Sequence, residues 1–185
     1  MSVILITGGA RSGKSRHAEE LCKNMGGKVC YIATAKAIDA DMEDRIKKHK
    51  ASRPEEWKTL ERYDGFDTLA KNETFLSCDT FLLDCITIMI TNIMFDQNVD
   101  YDTCTADILD EVEENVRKEI EELLRIMKLY SKNLVLVTNE VGMGLVPPYR
   151  LGSIFRDIAG RMNQYIAQEA DQAYLVVCGL PQKLK

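Results

Sequence analysis

Val3-Ile4-Leu5-Ile6-Thr7-Gly8-Gly9-Ala10-Arg11-Ser12-Gly13-Lys14-Ser15 is an apolar run that breaks into a glycine-rich turn and ends on a Lys-Ser pair. Residues 8–15 match G-x-x-x-x-G-K-[ST] at every fixed position, a coincidence expected in roughly one chain of this length per hundred. The physics of the pattern needs a strand before the turn and a helix after it. Backbone N–H groups of the turn then point inward around phosphate oxygens, and the helix N-terminus adds its positive dipole end. Gly8, Gly9 and Gly13 remove Cβ atoms where backbone and phosphate approach closely. Ala10, Arg11 and Ser12 complete the cradle. Lys14 reaches the β and γ phosphates, and the Ser15 hydroxyl ligates Mg²⁺. A glycine turn that merely joined strand to helix would leave the Lys14-Ser15 pair unexplained. The stretch therefore predicts a nucleotide site.

Working outward, a helix from about Lys14 to Met25 turns Ala18, Leu21, Cys22 and Met25 to one face, Gly26-Gly27 stops it, and residues 28–33 read as a second strand. That is a β-α-β opening. A further helix is expected over residues 39–50, with Met42, Ile46 and His49 on one face, closed by Pro54. An extended piece follows near residues 57–60, then a buried strand at 80–84. The apolar stretch 85–95 is long enough for a helix. Residues 103–130 carry Ile108, Val112, Val116, Ile120, Leu123, Leu124 and Met127 at steps of three and four, an amphipathic helix whose acidic outer face is expected to be solvated. A strand at 133–138, a helix at 151–170 and a last strand at 172–178 complete the chain. Strands alternating with helices give an α/β fold, a phosphate-loop NTPase-like three-layer sandwich with a mainly parallel central sheet.

The chain has 185 residues, 45% hydrophobic and 29% charged, which suits a single globular domain spanning 1–185. No apolar run approaches a membrane span, and the N-terminus lacks the basic region and cleavage site of a secretory signal, so the cytoplasm is the expected location. A net charge of −5 offers no basic surface for a nucleic acid backbone. Six cysteines without a C-x-x-C pair read as reduced core thiols rather than zinc ligands or disulfides.

Beyond the loop, Asp84 ends the strand Phe81-Leu82-Leu83, where a phosphate-loop enzyme places a carboxylate to hold Mg²⁺; the same residue would also suit a cap for the next helix. His17 lies one turn into the first helix, as surface or packing. His49 sits in Arg45-Ile46-Lys47-Lys48-His49-Lys50-Ala51-Ser52-Arg53-Pro54, whose cations suit a polyphosphate or form a solvated helix end. A helix end raises an imidazole pKa by up to roughly 0.7 unit while neighbouring lysines lower it, so His49 keeps a neutral, nucleophilic fraction. The run from Val137 to Arg150 leaves a strand through Gly142, Gly144, Pro147 and Pro148, at the sheet edge where ligands bind. Glu140 and Arg150 are substrate-side candidates there, or parts of a rigid connection. Arg156, Asp157, Arg161 and Asn163 are open to substrate, a neighbouring subunit or solvent.

Taken together, Thr7 to Ser15, Tyr31-Ile32-Ala33-Thr34, Arg45 to Pro54, Val137 to Arg150 and Phe155 to Arg161 resemble the bifunctional adenosylcobinamide kinase and adenosylcobinamide-phosphate guanylyltransferase family of cobalamin assembly. The resemblance covers essentially the whole chain. It implies ATP or GTP as phosphoryl donor to adenosylcobinamide, and GMP transfer from GTP to adenosylcobinamide phosphate through a guanylylated His49. Two easier transfers replace one difficult one. It also implies that Thr34, Ala35, Lys36, Ala51, Ser52, Arg53, Pro54, Glu61 and Asp84 line the guanine nucleotide, with Lys14 and Ser15 at phosphates and metal, and that the protein is a homotrimer. Asp84 stands where the family often has Glu, one methylene longer, which favours a water-mediated metal contact. On residues alone, a kinase for another small alcohol and a nucleotide-responsive regulatory module remain alternatives.

Overall fold

The computed structural model describes residues 1–36, 50 and 53–185. Seven strands form one sheet in the order β3-β2-β4-β5-β1-β6-β7. These are β1 (Val3–Gly8), β2 (Val29–Ala33), β3 (Lys58–Glu61), β4 (Thr80–Asp84), β5 (Asn133–Val137), β6 (Gln172–Val177) and β7 (Leu180–Lys183). The first six are parallel, and β7 returns antiparallel along β6. The helices are α1 (Lys14–Met25), α2 (Glu73–Ser77), α3 (Ile86–Asp96), α4 (Ala106–Leu129) and α5 (Arg150–Glu169).

Alternation along each strand splits the interior in two. Val3, Leu5, Ile32, Phe81, Leu83, Leu134 and Leu136 point to the face covered by α3, α4 and α5. Ile4, Ile6, Tyr31, Leu82, Val135 and Val137 point to the face where α1 packs through Ala18 and Cys22. Both faces of the central strands are buried, which is why those strands read as unbroken apolar runs. The expected three-layer α/β sandwich with a mainly parallel sheet is the one observed.

Among the described residues, the boundaries of the expected strands and helices agree with the sequence reading to within a few residues. The differences are physical. The turn of helix around Ile108 lies at the start of α4 and leaves this residue 37% exposed, whereas Val112 onward is buried. The outer face of α4 is not only solvated: Glu119 accepts from the Phe66 amide at 3.3 Å, and Glu113 takes both forks of Arg161 at 2.6 and 2.7 Å. Three short pieces carry too few residues to show a period: a 3₁₀ turn at Phe66–Lys71, α2, and β7. Helix α2 is announced by its cap, Asn72, whose side chain accepts from the amides of Thr74 and Phe75. Pro181 in β7 is tolerated because that strand is at the sheet edge.

Four of the cysteines are buried, Cys104 is half-buried and Cys178 exposed; all are free thiols. Burial pushes Cys22 and Cys30 up to about 12, so both stay protonated. Among the described residues no helix is long and apolar enough to cross a membrane. The helix expected over 39–50, apart from Lys50, falls outside the described residues, as do His49, Ala51 and Ser52.

Phe81, fully buried on the central strand β4 and packed at 5.2 Å on Phe75, tests the architecture. Phe81→Ala is expected to cost about 3–5 kcal/mol through lost transfer energy and the cavity left behind. Urea unfolding followed by circular dichroism reads this as a lower midpoint at an unchanged slope.

Candidate active site at the carboxyl edge of the sheet

Register places the site. Glu61 pairs with Ala33, Ala33 with Asp84, Asp84 with Val137 and Val137 with Ile6, so one row of the sheet runs across the ends of β3, β2, β4, β5 and β1. The chain leaves β1 for β2 on one side and later reaches β6 on the other. The crevice outside such strand ends is where open parallel sheets bind ligands.

The phosphate loop springs from this row. Ser12 N–H donates to the Gly9 carbonyl at 3.2 Å, and α1 begins at Lys14, with its His17 N–H donating back to Gly13. Gly13 has φ 95°, a left-handed conformation, and a Cβ there would lie 3.0 Å from the Cα of Gly179. The turn between β6 and β7 thus presses on the loop from outside. Gly179 N–H also donates to the Ser12 carbonyl at 2.7 Å, fixing that carbonyl away from the anion side. Gly9 has open space around its Cβ position, and the Ser12 hydroxyl is buried without a partner among the described residues.

Lys14 is only 9% exposed. Its Nζ donates to the Gly9 carbonyl at 3.1 Å. Burial lowers its pKa, opposed by the nearby charge of Asp84 and by Cys85. A desolvated ammonium aimed across an open glycine turn is a site built for an anion. Asp84 is half-buried at the end of β4 and does not cap the next helix: Cys85 holds the N-cap position of α3, with no side-chain cap bond. Its carboxylate therefore remains for the site. The described residues contain no cluster of three or more His, Cys, Asp or Glu side chains fit to hold a metal alone. Ser15 and Asp84 instead offer one hydroxyl and one carboxylate, a donor set suited to Mg²⁺ that keeps waters and phosphate oxygens as its other ligands.

The remaining residues expected at the nucleotide divide clearly. Arg53 lays its guanidinium 3.3 Å from the Tyr31 ring centroid, its Nε buried without a partner among the described residues. Its charge acts on Tyr31 and on Glu19, whose carboxyl is raised by burial, opposed by Lys23 and Arg53. Lys36 is held by both carboxylate oxygens of Asp96 at 2.9 and 3.0 Å and lies 4.2 Å from the Tyr63 ring centroid. Thr34 is fully buried, its hydroxyl bonded to both the amide and the carbonyl of Cys85, so it fixes the strand ends rather than presenting a hydroxyl to ligand. Glu61 is exposed at the end of β3, and Ala35 and Pro54 are half-buried.

Of the two candidates after β5, Arg150 is occupied elsewhere. Its guanidinium donates to the Tyr101 and Cys104 carbonyls at 2.7 and 2.8 Å, pinning the start of α5 to the loop before α4. Glu140 belongs to the edge itself: its N–H donates to the Gly8 carbonyl at 3.2 Å, and its Oε1 accepts from Thr7 at 2.6 Å and Asn163 at 3.2 Å. Asn163 is buried and also joins Thr138 at 2.7 Å and the Asn139 carbonyl at 3.1 Å. Asn139 in turn donates to Thr87 at 2.6 Å. The sequence left Asn163 open to substrate, a neighbouring subunit or solvent. The signal that separates it is spacing, since it falls one residue after the inward Met162 on α5. His17 packs edge-on at 5.3 Å against Tyr174, and burial lowers its pKa, in keeping with a packing residue.

Lys14→Met separates the ligand from the fold. Removing a desolvated cation is expected to leave the nucleotide-free melting temperature unchanged or higher, while abolishing the rise that saturating GTP produces, about 2.7 kcal/mol at a hundredfold excess over Kd. Differential scanning fluorimetry with and without GTP and Mg²⁺ measures both.

Residues 4–184 match the family described as cobinamide kinase / cobinamide phosphate guanyltransferase. The chain is 45% identical over 183 residues, 99% of each chain, to the bifunctional adenosylcobalamin biosynthesis protein CobU of Escherichia coli strain K12, and equally to that of Salmonella typhimurium strain LT2. The corresponding protein CobP of Pseudomonas aeruginosa is 37% identical over 98% of this chain and 96% of its own. Among solved structures, a KaiC-like protein of Pyrococcus horikoshii aligns with TM-score 0.48 and 12% identity over 94% of this chain and 70% of that one. With a phosphate loop, an edge carboxylate and full-length likeness to three bifunctional relatives, this chain belongs to the cobinamide kinase / cobinamide phosphate guanyltransferase family.

Proposed function

We propose that the protein works at this one edge as both enzymes of its family: it phosphorylates the aminopropanol hydroxyl of adenosylcobinamide with ATP or GTP, then transfers GMP from GTP to the new phosphate. The observation that carries this reading is Lys14, buried beside Asp84 across an open glycine turn, in a chain that matches the family from residue 4 to 184. Lys14 and the loop amides hold the phosphates of the nucleotide and offset the charge that develops on the leaving oxygens. Mg²⁺, held by Ser15 and Asp84, would neutralise the β and γ phosphates. Arg53, kept in place on Tyr31, adds a second fixed cation toward the nucleotide.

In the guanylyltransferase step a ring nitrogen of His49 attacks the α-phosphorus of GTP. The nitrogen–phosphorus bond forms, the bond from phosphorus to the bridging oxygen breaks, and pyrophosphate departs with the electron pair. A phosphate oxygen of adenosylcobinamide phosphate then attacks the same phosphorus, frees His49 and gives adenosylcobinamide-GDP. The role of His49 rests on the resemblance of its segment to the family. Lining of the nucleotide by Ala35, Lys36, Ala51, Ser52, Pro54 and Glu61, trimeric assembly and a cytoplasmic location belong to the same proposal on the same ground.

Incubation with α-labelled GTP and Mg²⁺ is expected to label the protein through an acid-labile, alkali-stable bond, the signature of a phosphoramidate, with stoichiometric release of pyrophosphate. His49→Ala is expected to lose the label and keep phosphorylation of adenosylcobinamide. Label from the γ position alone, without pyrophosphate, would instead mark a simple kinase.

A further inference from the structure

Phosphorylating an alcohol needs somewhere for the hydroxyl proton to go, and the metal-side carboxylate, Asp84, is committed to charge neutralisation. Cys85 follows it, but burial raises its thiol pKa and its side chain is paired with Thr87 at 3.2 Å. Glu19 faces Lys23, Arg53 and Asp84 on the α1 side. Glu140 is placed differently. It leaves the carboxyl end of β5, between the strand of the phosphate loop and the strand of Asp84, and its amide is tied to Gly8, the first residue of the loop. Both donors to its side chain, Thr7 and Asn163, converge on Oε1. No described residue pairs with Oε2. The carboxylate is half-buried, and Oε2 is open to solvent at this edge of the sheet.

Thr7 follows Val3 and Leu5 on the face that α5 covers, whereas Lys14 comes from α1 on the opposite face. Glu140 and Lys14 thus reach the same strand ends from opposite sides of the sheet. A γ-phosphoryl group held by Lys14 would have the Glu140 side of the edge left for the incoming alcohol.

We propose that Glu140 is the general base of the kinase step, with Thr7 and Asn163 holding one carboxylate oxygen so that the other meets the acceptor hydroxyl. The inference rests on the kinase half of the function proposed above. The alcohol oxygen bonds to the γ-phosphorus, the bond to the β-bridging oxygen breaks, and the nucleoside diphosphate leaves with that electron pair. The hydroxyl proton passes to Glu140 Oε2 and from there to solvent. Transfer of GMP makes no such demand, because neither a neutral imidazole nor a phosphate oxygen has a proton to lose in attacking phosphorus. Glu140 therefore serves one of the two reactions.

Glu140→Gln is the decisive variant, since the Gln carbonyl can still accept from Thr7 and Asn163 and the amide tie to Gly8 is untouched. The two activities are measured on the same preparation: phosphorylation of adenosylcobinamide from γ-labelled ATP, and protein labelling from α-labelled GTP. The expected result is a kinase kcat lower by 10²–10⁴, the usual contribution of a general base, with KM for adenosylcobinamide within about threefold and the ratio of kinase to guanylylation rates shifted by at least a hundredfold. A ratio within tenfold of wild type overturns the assignment, whether both rates are kept, so that no base is needed, or both fall together, so that Glu140 only braces the loop. A wild-type protein without kinase activity would instead overturn the proposed function itself.

Discussion

A buried ammonium with a single backbone partner is the constraint on which this structure turns. Lys14 gives up most of its hydration and receives the Gly9 carbonyl at 3.1 Å in return. Burying an ammonium with such thin compensation is unfavourable, and the depressed pKa records it. The site holds this unfavourable state because the rest of the fold is rigid around it. Strand β1 is paired on both sides, α1 is locked onto the sheet through Ala18 and Cys22, and the β6–β7 turn braces the loop through Gly179. A triphosphate adds direct partners that the nearby charge of Asp84 does not supply. Binding energy is thereby concentrated on the anion.

That brace explains a feature of the chain's end. Strand β7 is short, exposed and at the edge, with little apolar surface to bury. Its contribution is the tight turn Cys178-Gly179, both residues with positive φ, which brings the Gly179 amide within 2.7 Å of Ser12. The Ser12 carbonyl would otherwise be free to turn into the cradle, where an acceptor repels phosphate. A few residues after the last buried strand thus decide the polarity of a loop near the other terminus.

The fold was legible in the sequence because its main signals are long: apolar runs for strands buried on both faces, and the period of α4 and α5. Phosphate-loop geometry was legible too, since only glycine suits Gly13 at φ 95° against Gly179. What stayed hidden depends on contacts distant in sequence. Nothing local distinguishes Arg150, spent on the Tyr101 and Cys104 carbonyls, from Glu140, which keeps an oxygen open; both are charged residues in one glycine- and proline-rich loop. Thr34 likewise reads as a polar residue just past a strand, and only pairing of β2 with β4 shows its hydroxyl closed on Cys85. Asn163 is polar on an inward face, and its partners lie at the ends of β1 and β5.

On the proposed function, two reactions at one nucleotide site pose a problem of selection: the same bound triphosphate must be cut at the γ-phosphorus for one acceptor and at the α-phosphorus for the other. The loop does not choose, because its grip on the phosphates serves both leaving groups. Choice must come from what stands on either flank. The β5 side offers a fixed, hydrogen-bonded carboxylate suited to an alcohol that has a proton to lose. The β2–β3 side carries Arg53 on the Tyr31 ring, a fixed cation suited to steadying an α-phosphoryl group. The sheet order sets β5 between β1 and β4 and puts β2 and β3 beyond them, so Glu140 and Arg53 flank the phosphate loop from different strands. Parallel topology, with every strand end of β1 to β6 on one edge, would let both chemistries of the proposed function share a single phosphate loop.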